Sequence, residues 1–217
     1  MTFLPGCTRA AISALLLVSA LLFASGCGGR KEVRPEPQPA VLPAGPKVAV
    51  APMENKTNDL SGSDIIRDAF VEGVARKGFA VMPVAESDRI LRETLGISYG
   101  GQLPATSPEE VCKAVGVEAV FYGEVQEWTK TTTGIYNSST VAAAFRMYRK
   151  DGKLLWEGSD RQVRQDMPRG GGQNLGAEII ARAMGNLLLN PMTPHGRRVG
   201  GNIARKIPMG VLDNMVK

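Results

Sequence analysis

The sequence predicts an α/β domain built on a mixed β-sheet, parallel in its first half, ending in an antiparallel hairpin, and flanked by helices. Two observations lead to this fold class. Short β-branched runs alternate with amphipathic helical runs between residues 47 and 128, and strands that alternate with helices pair in parallel. Two later apolar runs are separated only by a turn at Asp151-Gly152, which favours a type I′ hairpin.

Five strands and four helices follow from the apolar periodicity. Gly100-Gly101 and Pro104 indicate a flexible link between the second and third helices. The strands are predicted at Lys47–Ala51, Phe79–Met82, Glu118–Trp128, Thr140–Tyr148 and Lys153–Gly158. The helices are predicted from Ser61, with a capping box to Asp64, to Gly78; over Ser87–Leu95, with Asp88 facing outward; from Ser107-Pro108-Glu109-Glu110 to Gly116; and over Asn174–Leu189.

Composition and charge exclude several function classes. The chain has 217 residues, one histidine, three cysteines and a formal net charge of +5. A single histidine excludes a histidine-rich metal centre. The charge of residues 47–194 is nearly balanced, and the excess of basic residues lies toward the ends of the chain. The sequence therefore predicts no basic groove for nucleic acid and no nucleic-acid partner.

Residues 1–26 have the features of a bacterial lipoprotein signal peptide. Arg9 precedes an uncharged apolar run over Ala10–Ala24, which is too short to span a bilayer comfortably. Ala24-Ser25-Gly26 then leads into Cys27 as in a lipobox, so Cys27 is the predicted lipid-attachment residue, acylated and embedded in the membrane. The alternatives are an ordinary signal peptide or an uncleaved anchor. Gly28, where aspartate would favour inner-membrane retention, favours the outer membrane.

The rest of the chain divides into three segments. Residues 27–46 carry five prolines and predict an extended tether from the lipid to the domain, the alternative being a loop packed on the domain. Residues 47–194 form the α/β domain. Residues 195–217 are expected to be a basic, solvated C-terminal tail that could touch anionic lipid or an acidic partner.

No catalytic residue, metal ligand or cofactor site emerges from the sequence. His195 is expected in a surface loop, and Cys112 as a half-buried packing residue of a helix. The glycines between Arg169 and Asn174 lack the P-loop pattern and favour a linker. Glu124, Glu127, Asp160 and Asp166 are expected on a solvated face of the sheet.

The loop Glu54–Asp59 is the candidate binding site. It follows the carboxyl end of the first strand, which is the edge where open α/β sheets bind ligands. Asn55, Thr57 and Asn58 are its candidate ligand- or partner-binding residues. The alternative is a polar turn that caps the next helix.

The strand at 140–148 carries small or apolar residues on both faces. Val141, Ala143 and Phe145 alternate with Ala142 and Ala144 before Arg146. A solvent-exposed face usually carries more polar residues. We therefore expect a helix over one face and either a partner, a second copy or the C-terminal segments over the other.

Five segments carry a resemblance to a bacterial lipoprotein family of unknown function (DUF799-type). They read KVAVAPMENKTND, GFAVMPV, EEVCKAVGVEAVFYGEVQEW, DGKLLWEG and RRVGGNIARKIPMG. More distantly the chain resembles the N-terminal α/β domain of TolB and the curli secretion lipoprotein CsgG. The resemblance implies a TolB- or CsgG-like fold and work in the periplasm, in assembly or export, often as an oligomer.

Two functions remain open on this basis. The first is a non-enzymatic interaction or assembly module at the outer membrane, whose partners are other envelope lipoproteins or copies of itself. The second is a periplasmic protein that binds a small ligand or peptide near the loop after the first strand.

Overall fold

One mixed β-sheet organises the computed structural model, which describes residues 45–133, 136–166, 176 and 192–216. Its order is β3-β1-β4-β5-β6, with β2 paired to β4. The pairs formed by β1 and β2 are parallel, and β4, β5 and β6 are antiparallel. The predicted mixed sheet is confirmed. The strands are β1 (Lys47–Val50), β2 (Glu54–Asn55), β3 (Ala80–Val81), β4 (Ala119–Thr133), β5 (Tyr136–Arg149) and β6 (Leu154–Asp166).

Helices cover the two faces of the sheet with separate apolar clusters. One cluster, centred on the stacked rings of Phe70 and Phe145 at 3.7 Å, lies under α1 and α4. The other lies under α2, α3 and the 3₁₀ helix. Among the described residues these elements are α1 (Gly62–Arg76), α2 (Val84–Leu95), the 3₁₀ helix (Gly100–Ala105), α3 (Pro108–Val115), α4 (Thr193–Arg205) and α5 (Gly210–Val216).

Helix ends show one prediction confirmed and one corrected. Ser107 and Glu110 form the predicted capping box of α3, and Gly116 ends that helix in a left-handed conformation. Ser61 occupies the N-cap position of α1, but its side chain makes no capping bond. Asp59 performs that role, since its Oδ1 accepts from the backbone N–H groups of Ser61 and Gly62 at 2.9 and 3.0 Å.

The segment predicted as a flexible link is a 3₁₀ helix. Gly100 is buried there, and a Cβ atom on it would collide with the backbone between Met53 and Glu54. Glycine is needed for close packing at this point, which the sequence pattern did not distinguish from flexibility. The helix before it, α2, begins at Val84, three residues earlier than predicted.

The hairpin at Asp151-Gly152 exists, but its turn is not type I′. A type I′ turn needs a positive φ at both central residues, and Gly152 (φ 77°) has one whereas Asp151 does not. Gly152 N–H donates to the Arg149 carbonyl at 2.8 Å, and Arg149 N–H donates to the Lys153 carbonyl at 2.9 Å. This is a three-residue loop with a glycine bulge, stabilised by the Arg149–Asp151 ion pair.

The predicted C-terminal tail is incorrect for the residues that the structure describes. α4 packs against α1, and Val199, Ile203 and Ala204 are fully buried. The helices approach closely because Gly200 lies on the backbone of Ile66. The residues of α4 therefore belong to the folded domain, although the predicted domain ends at residue 194. The predicted helix at Asn174–Leu189, the glycine run before it, the signal peptide and the tether lie outside the described residues, apart from Gly176 and the last two tether residues.

Candidate functional site

The crevice at the carboxyl ends of β1 and β3 is occupied by protein side chains. β1 leads toward α1 and β3 leads into α2, and these helices pack on opposite faces of the sheet. Such a switch point is the usual ligand site of an open α/β sheet. Here Arg67 of α1 donates to both carboxylate oxygens of Asp88 of α2 (2.7 and 2.6 Å) and to the Val50 carbonyl at 2.5 Å.

The sequence predicts Asp88 on the outward side of its helix and assigns no role to Arg67, whereas the structure pairs the two side chains. Only 5% of Arg67 is exposed. Its position three residues before Phe70 and seven before Val74 places it on the buried stripe of α1. A charged residue at that spacing was the available signal, because a buried guanidinium needs a carboxylate partner nearby.

The predicted binding loop forms a compact, internally bonded turn. Asn55 Oδ1 accepts from the backbone N–H and the hydroxyl of Thr57 at 2.9 and 2.7 Å, while Asn55 Nδ2 donates to the Asp59 carbonyl at 2.6 Å. Asn58 is exposed. The structure thus brings Asn55 and Thr57 together but directs their polar atoms at each other and at the cap of α1.

A groove of about 450 Å³ lies beside this loop, between the 3₁₀ helix and the outer face of β4 and β5. We call it the outer groove. It combines an apolar floor with charged groups at its rim, as ligand and partner sites commonly do. Its lining residues are Glu54, Gly100, Leu103, Pro104, Thr106, Pro108, Tyr122, Gly123, Glu124, Ala144, Arg146, Tyr148 and Gly152.

Two neighbouring tyrosines line the outer groove. The rings of Tyr122 and Tyr148 pack with centroids 5.3 Å apart. The Tyr122 hydroxyl is buried without a hydrogen-bond partner in the described part of the chain, and burial raises the pKa of this phenol. An unpaired buried hydroxyl costs free energy.

The carboxylates predicted on a solvated sheet face are ion-paired. Glu124 pairs with Lys56 and Glu127 with Arg161, both at 3.0 Å. Glu127 and Arg161 stand in register on either side of Ala142, and their ion pair extends over it. Asp160 instead contacts α4 through Asn202 and Lys206, and the side chain of Asp166 lies outside the described residues.

The first face of β5 is buried under α1 and α4, and the second is partly open. Val141, Ala143 and Phe145 have no exposed surface. Ala144 is 8% exposed and lines the outer groove. The helix expected over one face is therefore present, and α4 contributes to it.

Cys112 and His195 show no catalytic arrangement in the described residues. Burial, with smaller effects of Glu118 and Asp151, raises the pKa of the Cys112 thiol to about 12. A thiol with so high a pKa stays protonated near neutral pH and is therefore a poor nucleophile. His195 was expected in a surface loop, which is incorrect, since it lies in the first turn of α4 and is 7% exposed. The next residue, Gly196, lies so close to the Trp128 ring that a Cβ atom on it would collide with the ring.

The described residues contain neither a cluster of metal ligands nor a membrane-spanning helix. No three histidine, cysteine, aspartate or glutamate side chains in those ranges converge as metal ligands would. None of the described helices has both the length and the apolar character required to cross a bilayer. Cys27 falls outside these ranges, so its acylation stays a prediction.

Comparison with known proteins gives a consistent family relationship. The model of the family described as "Putative lipoprotein GNA1162-like" matches residues 42–210. A curated relative, "Putative lipoprotein NMB1124/NMB1162" of Neisseria meningitidis serogroup B, is 25% identical over 158 residues, which are 72% of each chain. Residues 42–210, which the family model matches, contain the strands β1 to β6 and the helix α4.

One solved structure shows the same fold. The crystal structure of lipoprotein GNA1162 from Neisseria meningitidis superposes with a TM-score of 0.52 at 21% identity, covering 66% of this chain and 98% of that one. The C-terminal domain of LpoB from Salmonella enterica covers 68% of this chain at 18% identity, with a TM-score of only 0.40. The family match and its extent make this chain a member of the GNA1162-like lipoprotein family.

Proposed function

We propose that this protein is a lipid-anchored, non-enzymatic interaction module at the periplasmic face of the outer membrane. Its partners are other envelope lipoproteins or further copies of this chain, in an assembly or export role similar to that of CsgG. Membership of a lipoprotein family supports the anchor, and the lipobox ending at Cys27 supplies the attachment residue. The curated Neisseria relative and the GNA1162 crystal structure are both named as lipoproteins.

The outer groove is the observation that carries the interaction proposal. The usual ligand crevice of the sheet is filled by Arg67 and Asp88. The outer groove, in contrast, presents Tyr122, Tyr148 and Ala144 beside the polar rim residues Glu124 and Arg146. Aromatic and arginine side chains around an apolar floor are typical of protein interfaces.

Site-directed photo-crosslinking in native membranes tests this proposal. A photoreactive residue at Thr106, which lines the outer groove, should crosslink the full chain to an envelope protein or a second copy. The same residue at Thr94, exposed on α2, is the matched control and should not. Ala144→Glu places a carboxylate opposite Glu124 in the sheet, so it should abolish the Thr106 adduct, while Ala144→Ser should preserve it.

Two results would count against the interaction role. Equal adducts from Thr106 and Thr94 would indicate random collision. Loss of folding in both Ala144→Glu and a second variant, Ala144→Lys, whose ammonium can pair with Glu124, would place this face in the intramolecular core. Circular dichroism of the purified variants separates loss of folding from loss of contact.

The anchor has its own test. Cys27→Ser removes the sulfur that the diacylglycerol would join, so the protein should stay as a precursor or be released into the periplasm. Mass spectrometry of the native protein should show an acylated Cys27. A mature chain with a free Cys27 thiol would overturn the anchor.

The second candidate function is binding of a small ligand or peptide. The buried, unpaired Tyr122 hydroxyl favours it, and Glu54, the first residue of the predicted binding loop, also lines the outer groove. Tyr122→Phe removes that hydroxyl with little change of shape. Loss of a bound compound in native mass spectrometry of Tyr122→Phe, with the Thr106 crosslinks unchanged, would identify a ligand site in place of a protein interface.

A further inference from the structure

A concentrated basic surface lies on the opposite side of the domain from the outer groove. Five cationic side chains surround a shallow depression of about 350 Å³ between α1 and α4. We call it the basic depression. Its charged members are Arg76, Lys77, Arg197, Arg198 and Arg205.

The charges in the basic depression are poorly neutralised by the protein. Glu72 is the one carboxylate that the described ion pairs place there, and it is shared between Arg76 at 3.8 Å and Arg197 at 3.1 Å. α4 contains no acidic residue at all. Arg205 donates to the neutral amide oxygen of Asn202. The depression therefore carries a strong positive field that an external anion would stabilise.

The framework that holds these cations is rigid. Lys77 Nζ donates to the carbonyls of Arg205 and Ile207 at 3.0 and 2.9 Å, which joins the end of α1 to the end of α4. Gly73 meets Ala204 where the two helices cross. Gly201, at the edge of the depression, has open space where its side chain would be. The shape of the depression is thus determined by the packing of α1 against α4.

We infer that the basic depression docks the domain onto the anionic phospholipid headgroups of the membrane that holds its anchor. This inference rests on the proposed lipid anchor. Guanidinium groups match phosphate oxygens in geometry as well as in charge. Basic surfaces are attracted to anionic bilayers over about a Debye length. A tether as long as residues 28–46 reaches at most about 60 Å in an extended proline-rich conformation, so the domain stays close to that surface.

An exposed apolar side chain supports a membrane over a soluble anion. Met209 is 63% exposed and lies two residues beyond Ile207, whose carbonyl accepts from Lys77. An apolar side chain beside a group of cations suits the boundary between headgroups and acyl chains. A soluble acidic protein would be attracted by the same charges. The experiment below distinguishes such a partner from a membrane.

Accessibility at Gly201 measures docking directly. The full lipidated chain carrying Gly201→Cys is spin-labelled and placed in nanodiscs of phosphatidylcholine, with or without phosphatidylglycerol. Acylation of Cys27 and burial of Cys112 leave residue 201 as the labelled site. We expect a neutral nickel chelate to collide less with the label in the anionic discs, and ionic strength of about 1 M to remove the difference. A label at Thr94→Cys, on the other face of the sheet, should show no difference.

A matched pair of charge variants assigns the effect to the basic depression. Arg198→Gln with Arg205→Gln should lower the ratio of docked to undocked protein about tenfold or more. Arg92→Gln with Lys113→Gln removes the same charge from exposed positions on α2 and α3 and should leave that ratio unchanged. Equal losses in both variants would reduce the effect to net charge and overturn the inference.

Two further results would also overturn it. Equal accessibility of residue 201 in both kinds of disc would exclude lipid docking. Protection in native membranes but not in anionic discs would assign the basic depression to an acidic protein. The mass of the protein before reconstitution shows whether Cys27 is acylated, and the Thr106 crosslinks show whether the outer groove contacts a partner. Failure of the anchor or of the interaction role is therefore distinguishable from failure of this inference.

Discussion

Arg67 on α1 and Asp88 on α2 form a two-point ion pair, with distances of 2.7 and 2.6 Å, at the carboxyl end of β1. The same guanidinium donates to the Val50 carbonyl. The pair therefore ties together two helices from opposite faces of the sheet and the strand β1 between them. It also fills the space where a ligand would enter an open α/β sheet.

Breaking this pair should have unequal effects depending on which partner is removed. Asp88→Ala leaves a guanidinium that is 95% buried without its counterion, so we expect a loss of about 3 kcal/mol in the free energy of unfolding. Arg67→Met leaves a carboxylate whose side chain is 28% exposed and can be hydrated, so its cost should be smaller, about 1 kcal/mol. Urea unfolding followed by tryptophan fluorescence measures both, and the reverse ranking would contradict this account.

Adjacent glycines of α4 should respond to alanine in opposite directions. A Cβ atom at Gly200 would collide with the Ile66 carbonyl, whereas one at Gly201 would meet no atom. Gly200→Ala should therefore cost about 2 kcal/mol through overpacking. Gly201→Ala should stabilise the protein by up to about 1 kcal/mol, because alanine favours a helix more than glycine does. Thermal unfolding of the two variants tests the close contact of α1 and α4, and a neutral or stabilising Gly200→Ala would refute it.

The Asp59 cap predicts a specific pH dependence. Hydrogen bonds from Ser61, chiefly its hydroxyl, lower the pKa of this carboxyl below its ordinary 3.8. A lowered folded-state pKa means that the stabilisation is complete above the unfolded-state value and is lost as the pH falls through the folded-state value. Asp59→Ala should cost about 1 kcal/mol at neutral pH, and this difference should shrink below about pH 4.

The control for the cap is Asp59→Asn, which keeps an oxygen acceptor but does not titrate. Its difference from Asp59→Ala should not vary with pH. If the stability gap between the native protein and Asp59→Ala stayed constant down to the acid limit, Asp59 would not be the charged cap of α1. Denaturant unfolding between neutral and acid pH provides the measurement.

Cys112 should be inert in the folded protein and reactive when unfolded. Its thiol is 1% exposed, and burial raises its pKa to about 12. We expect no reaction with iodoacetamide at mildly alkaline pH in the native state, and one labelled thiol per acylated chain after denaturation. Zero labelled thiols after denaturation would indicate a disulfide between chains, and labelling in the native state would indicate that α3 opens readily.

Local signals predicted most elements of the fold. The capping box of Ser107 and Glu110, the left-handed Gly116 and the alternation of β5 were read correctly because each depends on residues close in sequence. The turn at Asp151-Gly152 was placed correctly but typed wrongly. Its backbone conformation depends on how the two long strands twist and on the Arg149–Asp151 pair.

The candidate site was less predictable than the fold. Asn55, Thr57 and Asn58 were chosen from their position after β1, and that position is correct. Their hydrogen-bond partners were not predictable, because one amide side chain can bind a ligand or cap a turn with equal local propensity. The outer groove joins Leu103, Tyr122 and Ala144, which are far apart in sequence.

The sequence by itself determined the order and type of most elements between β1 and β6, apart from β2 and the 3₁₀ helix, and the mixed character of the sheet. It also predicts the anchor at Cys27. These follow from periodicity, caps and small residues within short windows. Only the tertiary structure decided that Arg67 meets Asp88, that the basic C-terminal segment forms α4 against α1, and that five cations converge on one depression. Such contacts join residues that are 21 to 130 positions apart. Their formation depends on how whole helices pack against each other, and local propensities do not specify that packing.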